Sequence, residues 1–70
     1  MTRKYETNDA RVLFVDRDWL DGLYRTFWQT AAGSLYRVRS KDLPPRETWE
    51  EAQADLDGYA RKYRYPEVEE

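Results

Sequence analysis

The chain has no cysteine and no histidine. Without cysteine there is no disulfide framework, no thiol nucleophile and no thiolate ligand for zinc. Without histidine, the side chain that most often serves as a general base near neutral pH is missing. A triad built on either residue cannot be written, so no enzyme activity, catalytic residue, metal site or cofactor is expected. Glycine is also scarce: Gly22, Gly33 and Gly58 stand far apart, and no phosphate-cradling loop can be assembled from them. No apolar run approaches the roughly 20 residues of a bilayer-spanning helix. No apolar signal-peptide core follows Arg3 and Lys4. These absences point to a cytoplasmic protein with no membrane partner.

What is present is aromatic. Among 70 residues there are three Trp, six Tyr and two Phe. One domain at most fits this length, and a chain so short buries only about 60% of its unfolded surface. Each buried aromatic ring removes roughly 150–250 Å² from water. Rings therefore give a chain of mean hydropathy −1.08 the means to build a core.

The net charge of −2 conceals an asymmetry. Residues 1–46 carry nine Lys/Arg and six Asp/Glu, whereas residues 47–70 carry three and eight. Between residues 22 and 46, five basic residues face one acidic residue. A basic middle precedes an acidic end.

Three strands are legible. Arg11-Val12-Leu13-Phe14-Val15 is a β-branched and aromatic run. The Asp-rich stretch from Asp16 to Gly22 reads as a turn. Its three carboxylates, Asp16, Asp18 and Asp21, do not fit a calcium loop, since the glycine is one place late and Phe27 stands where the closing glutamate belongs. Leu23 to Thr30 and Ser34 to Arg39 are two further strands around Ala31-Ala32-Gly33. A three-residue hairpin loop commonly ends on a left-handed residue, and Gly33 stands there. That loop sets the register: Trp28 opposite Tyr36, Phe27 opposite Arg37, Gln29 opposite Leu35. One face then holds Tyr24, Thr26, Trp28, Tyr36 and Val38, which can be buried. The other holds Arg25, Phe27, Leu35, Arg37 and Arg39, which cannot. A slip of one residue would mix the two sets.

Pro44-Pro45 ends the strand region. Thr48-Trp49-Glu50-Glu51 reads as a capping box that opens a helix. Trp49, Ala52, Leu56, Tyr59, Ala60 and Tyr63 follow at helical spacing on one face, and Pro66 bounds the far end near Arg64. The expected fold is α+β: a three-stranded antiparallel sheet with one C-terminal helix packed on one face, β-β-β-α. Residues 1–9 read as a flexible N-terminal tail, 10–64 as the domain, and 65–70 as an acidic C-terminal tail. Glu50, Gln53, Asp55 and Asp57 read as the solvated outer face of the helix.

The open sheet face is the candidate binding surface: Arg25, Phe27, Leu35, Arg37 and Arg39. Arg25 and Arg39 are expected opposite each other, an unfavourable pairing unless neutralised. Two readings stand. Asp16 or another carboxylate on the neighbouring strand neutralises the arginines, or the face holds an anion such as a nucleic-acid backbone, with Phe27 available for stacking. Phe27 and Leu35 add a third possibility, self-association or a protein partner.

Two resemblances rest on particular residues. Gly33 in the hairpin turn and Thr48-Trp49-Glu50-Glu51-Ala52 at the helix start resemble the N-terminal three-stranded-sheet-plus-helix DNA-binding domain of phage tyrosine integrases. That resemblance implies major-groove contacts by Arg25, Phe27, Arg37 and Arg39. The stretch from Arg37-Val38-Arg39-Ser40 through Leu43-Pro44-Pro45-Arg46 to Glu51–Ala60 resembles small uncharacterised bacterial and prophage β-β-β-α proteins. The function expected is a non-catalytic binding module, favouring a protein partner or a homodimer. Nucleic-acid binding, or a phage-type regulator or inhibitor, is the alternative.

Overall fold

The computed structural model describes residues 3–68; Met1 and Thr2 of the expected N-terminal tail, and Glu69 and Glu70 of the acidic tail, lie outside the described residues. The fold is α+β, an antiparallel sheet followed by one helix. The sheet has four strands, not three: β1 Tyr5–Glu6, β2 Val12–Arg17, β3 Tyr24–Gln29 and β4 Leu35–Arg37, in sequence order. Helix α1 spans Trp49–Tyr63. Among the described residues, no helix is long and apolar enough to cross a membrane.

The added strand comes from the stretch expected as a tail. Tyr5 pairs with Leu13 and Glu6 with Val12. The β1–β2 connection repeats the β3–β4 turn. At Thr30–Ser34, the Thr30 N–H donates to Ser34 O, the Gly33 N–H to Thr30 O, and Gly33 has φ +92°. At Thr7–Arg11, the Thr7 N–H donates to Arg11 O and the Ala10 N–H to Thr7 O. Ala10 takes the left-handed position at φ +62°. In both turns the threonine hydroxyl accepts the N–H of the last residue. Ala10 is disguised in sequence because an L-residue pays about 1–2 kcal/mol in that conformation and glycine is the usual occupant.

The far end of the chain also returns to the sheet. Glu6 N–H donates to Pro66 O at 2.9 Å, and Val68 N–H to Lys4 O at 2.7 Å. The outer edge of β1 is thus lined by residues 66–68.

The β3–β4 register is the one the three-residue loop dictates: Phe27 with Arg37, Trp28 with Tyr36, Gln29 with Leu35. β3 also pairs along its whole length with β2, from Val12–Gln29 to Arg17–Tyr24. Strands β2 and β3 are therefore central, and α1 packs on these two. Its start has the expected cap, the Thr48 hydroxyl accepting the Glu51 N–H; it ends at Arg64, left-handed at φ 60°.

The core joins Leu13 and Val15 of β2 to Ala52 and Leu56 of α1, with Leu43 of the connector inserted between the layers. Leu56 has no exposed surface. Trp28, Trp49 and Tyr59 pack around this centre. Two residues expected in the seam are half exposed: Tyr36 and Tyr63. Tyr36 lies on an edge strand beyond the helix and stacks on Trp28 instead, centroids 4.4 Å apart. Tyr63, at the helix end, stacks on Tyr65 and meets the Tyr59 ring at a tilt.

The helix's outer face is not wholly solvated. Gln53 is 2% exposed. Its Oε1 accepts the Arg3 N–H and its Nε2 donates to Arg3 O, both at 3.3 Å. Asp57 accepts the Tyr5 hydroxyl at 2.6 Å and Arg3 Nη1 at 2.8 Å. Burial and the Asp57 carboxylate push the Tyr5 hydroxyl up to about 12. These bonds fasten the start of the chain to the helix. Asp55 is likewise occupied, accepting Arg46 Nε at 2.7 Å.

Candidate functional site

The open sheet face is organised by the turn between β2 and β3. Asp18 N–H donates to Leu23 O at 2.7 Å and Gly22 N–H to Asp18 O at 2.9 Å, closing a tight loop. Gly22 sits at φ +73°, and a Cβ there would lie 3.3 Å from the Arg17 guanidinium. The left-handed conformation opposes a side chain at this position, whereas the guanidinium is the tip of a flexible side chain that can give way.

The Asp18 carboxylate folds back under the turn and is 2% exposed. Oδ1 accepts the Leu20 N–H at 3.0 Å and Arg37 Nη2 at 3.1 Å. Oδ2 accepts Arg25 Nε at 2.9 Å and Arg37 Nε at 2.6 Å. Asp21 takes the remaining arm of Arg25 and accepts the Leu23 N–H. One buried carboxylate thus ties the turn to β3 and β4 together. The Arg37 hydrogen bonds, then the Leu20 N–H and the two guanidinium charges, hold it down at about 2 against the upward push of burial. The same contact raises the Arg37 guanidinium above its ordinary value.

This arrangement corrects the expected electrostatics. Arg25 does not face Arg39: β4 ends at Arg37, and across β2 Arg25 lies opposite Asp16. The neutralising group is chiefly Asp18, one residue past the strand, while Asp16 accepts its neighbour's Arg17 N–H. Phe27 is not an exposed stacking platform either. It is 8% exposed, its ring stacked against Phe14 at 6.0 Å. The partner is on β2, whose outward Phe14 shields Phe27 on this face.

Of the five candidate residues, Phe27, Leu35, Arg37 and Arg39 come together around a shallow groove of about 600 Å³. Arg25 does not line it. Leu35 is 55% exposed. Arg39 is exposed and forms no ion pair among the described residues.

Two side chains outside the expected set dominate the surface. Trp19 is fully exposed and Leu20 is 82% exposed, at the tip of the turn that Asp18 clamps. Trp19 borders the groove. The sequence carried a signal for them. Trp-Leu between aspartates in a polar turn is apolar material where no core can reach it. Asp18 had no comparable signal, because its partners lie 7 and 19 positions away.

Of the two carboxylates lining the groove, Asp18 is committed to two guanidiniums, whereas Asp16 accepts the Arg17 N–H. No protein family, curated protein or solved structure matches the chain.

Proposed function

We propose that this chain is a non-catalytic protein-binding module whose contact point is the Trp19-Leu20 turn with the groove beside it. The observation that carries the reading is the complete exposure of Trp19 on a turn held by a buried carboxylate. Exposing an indole to water is costly, and fixing the turn beforehand lowers the entropy lost on binding. Tryptophan anchors of this kind dominate interface energetics, each worth about 2 kcal/mol or more. Arg39 at the groove suits a partner with an apolar segment and a carboxylate at its rim.

A second reading has its own support. Trp19 borders the same groove as Arg17 and Arg39, a combination also suited to stacking a nucleic-acid base. It is the weaker one, because Arg25 and Arg37 are both engaged by Asp18.

The test compares the wild-type chain with Trp19→Ser as bait in a cell extract, with Arg61→Ser on the helix as control. Protein binding predicts species retained by wild type and by the control and lost with Trp19→Ser. Identical retention by all three would refute the reading. Titration with single-stranded oligonucleotide at low and high salt reports the second reading, which predicts steep salt dependence.

A further inference from the structure

The two edges of the sheet are treated differently. β1 is covered by residues 66–68 of its own chain. β4 is uncovered, and Leu35, Tyr36 and Arg37 are all exposed. Both described ends of the chain are held at the opposite edge, by the Glu6–Pro66 and Val68–Lys4 hydrogen bonds, so neither reaches β4. The edge also lacks the usual protection. It has no proline, lysine or bulge. Its one charge, Arg37, is drawn back onto Asp18.

The backbone alternation defines what this edge presents. Thr30 N–H donates to Ser34 O, and Val38 N–H to Thr26 O. Positions 34, 36 and 38 therefore bond inward to β3, and 35 and 37 direct their N–H and C=O groups outward. Two outward positions flanking one inward position form a self-complementary set.

We propose that two copies of this chain pair antiparallel through β4 about a two-fold axis at Tyr36, joining their sheets into one of eight strands. In that register Leu35 of each copy exchanges both backbone hydrogen bonds with position 37 of the other, four bonds in all. Tyr36 meets its own counterpart at a non-hydrogen-bonded position, where Cα atoms approach to about 4.5 Å. Each Tyr36 already stacks on Trp28, so the two pairs extend to a run of four rings. No like charges stand directly opposite each other: Arg37 falls beside Leu35 and Arg39 beside Gly33. Centring the axis on Arg37 would instead set two guanidiniums face to face. The charge pattern thus disfavours that neighbouring register. This inference rests on the backbone edge of β4, whose residues also line the groove, and not on the Trp19-Leu20 turn.

The test is the mass in solution by sedimentation or light scattering, from low micromolar to submillimolar chain. Wild type is expected to pass from the 8.5 kDa chain mass to twice that value. Leu35→Pro removes an N–H that has no partner among the described residues and leaves the β3–β4 ladder intact, so it is expected to give monomer throughout. Tyr36→Lys is expected to give monomer too, since it opposes two ammonium groups. An equimolar mixture of Tyr36→Lys and Tyr36→Glu is expected to restore the dimer, which holds even if the proline variant fails to fold. Trp19→Ser is expected to leave the dimer unchanged. A wild-type chain that stays monomeric overturns the inference. So does a dimer that survives Tyr36→Lys, or one that Trp19→Ser dissolves.

Discussion

Replacing Leu56 with alanine tests the core directly. Leu56 is the one large side chain among the described residues with no exposed surface. It faces Leu13, Val15 and Leu43, with Ala52 beside it on the helix. Deleting its three terminal carbons removes their transfer free energy and leaves a cavity, a combination measured at about 2.7–5.0 kcal/mol for comparable leucines. Relaxation here is limited. The helix neighbours at Ala52 and Ala60 are too small to move in, and the facing strands are the two central ones. A cost near 3–4 kcal/mol is therefore expected. A domain of 70 residues has about 4–10 kcal/mol in total, so much of the stability goes. At about 4–8 °C per kcal/mol, the melting temperature should fall by roughly 12–30 °C. Urea unfolding followed by tryptophan fluorescence and far-UV dichroism measures the change, with Leu56→Met as a volume-conserving control expected to lose less than about 1.5 kcal/mol. A loss below about 1 kcal/mol for Leu56→Ala would refute the packing of α1 against β2 described here.

The other predictions concern the turns and the ionised groups. Ala10→Gly relieves a left-handed L-residue and should stabilise the chain by about 0.5 kcal/mol after glycine's own entropy cost, whereas Gly33→Ala should cost about 1 kcal/mol; thermal melts compare them. Asp18 has a folded-state value of about 2, below the ordinary 3.8. Its contribution is therefore complete above pH 4 and is lost as pH falls towards 2. Asp18→Asn should be less stable than wild type at neutral pH, and the gap should narrow in acid; a constant gap down to pH 2 would contradict the clamp. Tyr5 lies the other way, raised from 10 to about 12. Its contribution is complete below pH 10 and declines as pH rises through 12. Tyr5→Phe should therefore flatten the stability profile in that window, as read from urea midpoints.

The local features were legible because their causes are local. Gly33 in a three-residue loop fixes the β3–β4 register, and alternation then assigns every side chain of that hairpin to a face. Thr48 and Glu51 mark the helix start, and the spacing of Ala52, Leu56 and Ala60 identifies its buried stripe. Each depends on contacts within four residues or on one backbone conformation.

What tertiary structure decided were the relations between distant segments. A face shared by Trp28 and Tyr36 says nothing of how far a helix extends over it; β2 and β3 are central, so Tyr36 at the edge stays half exposed. Phe27 lies on the face without a helix, yet Phe14 from the neighbouring strand helps bury it. A two-residue strand before a non-glycine turn is too short to show a period, and Tyr5 becomes part of a sheet only when Leu13 and residue 67 flank it. The arginines read as a charged face, and their sequence counts did not reveal that one aspartate would serve two of them. Composition and periodicity determined the elements and their inward sides. Burial and charge pairing depend on which elements become neighbours, and only the assembled sheet and helix decide that.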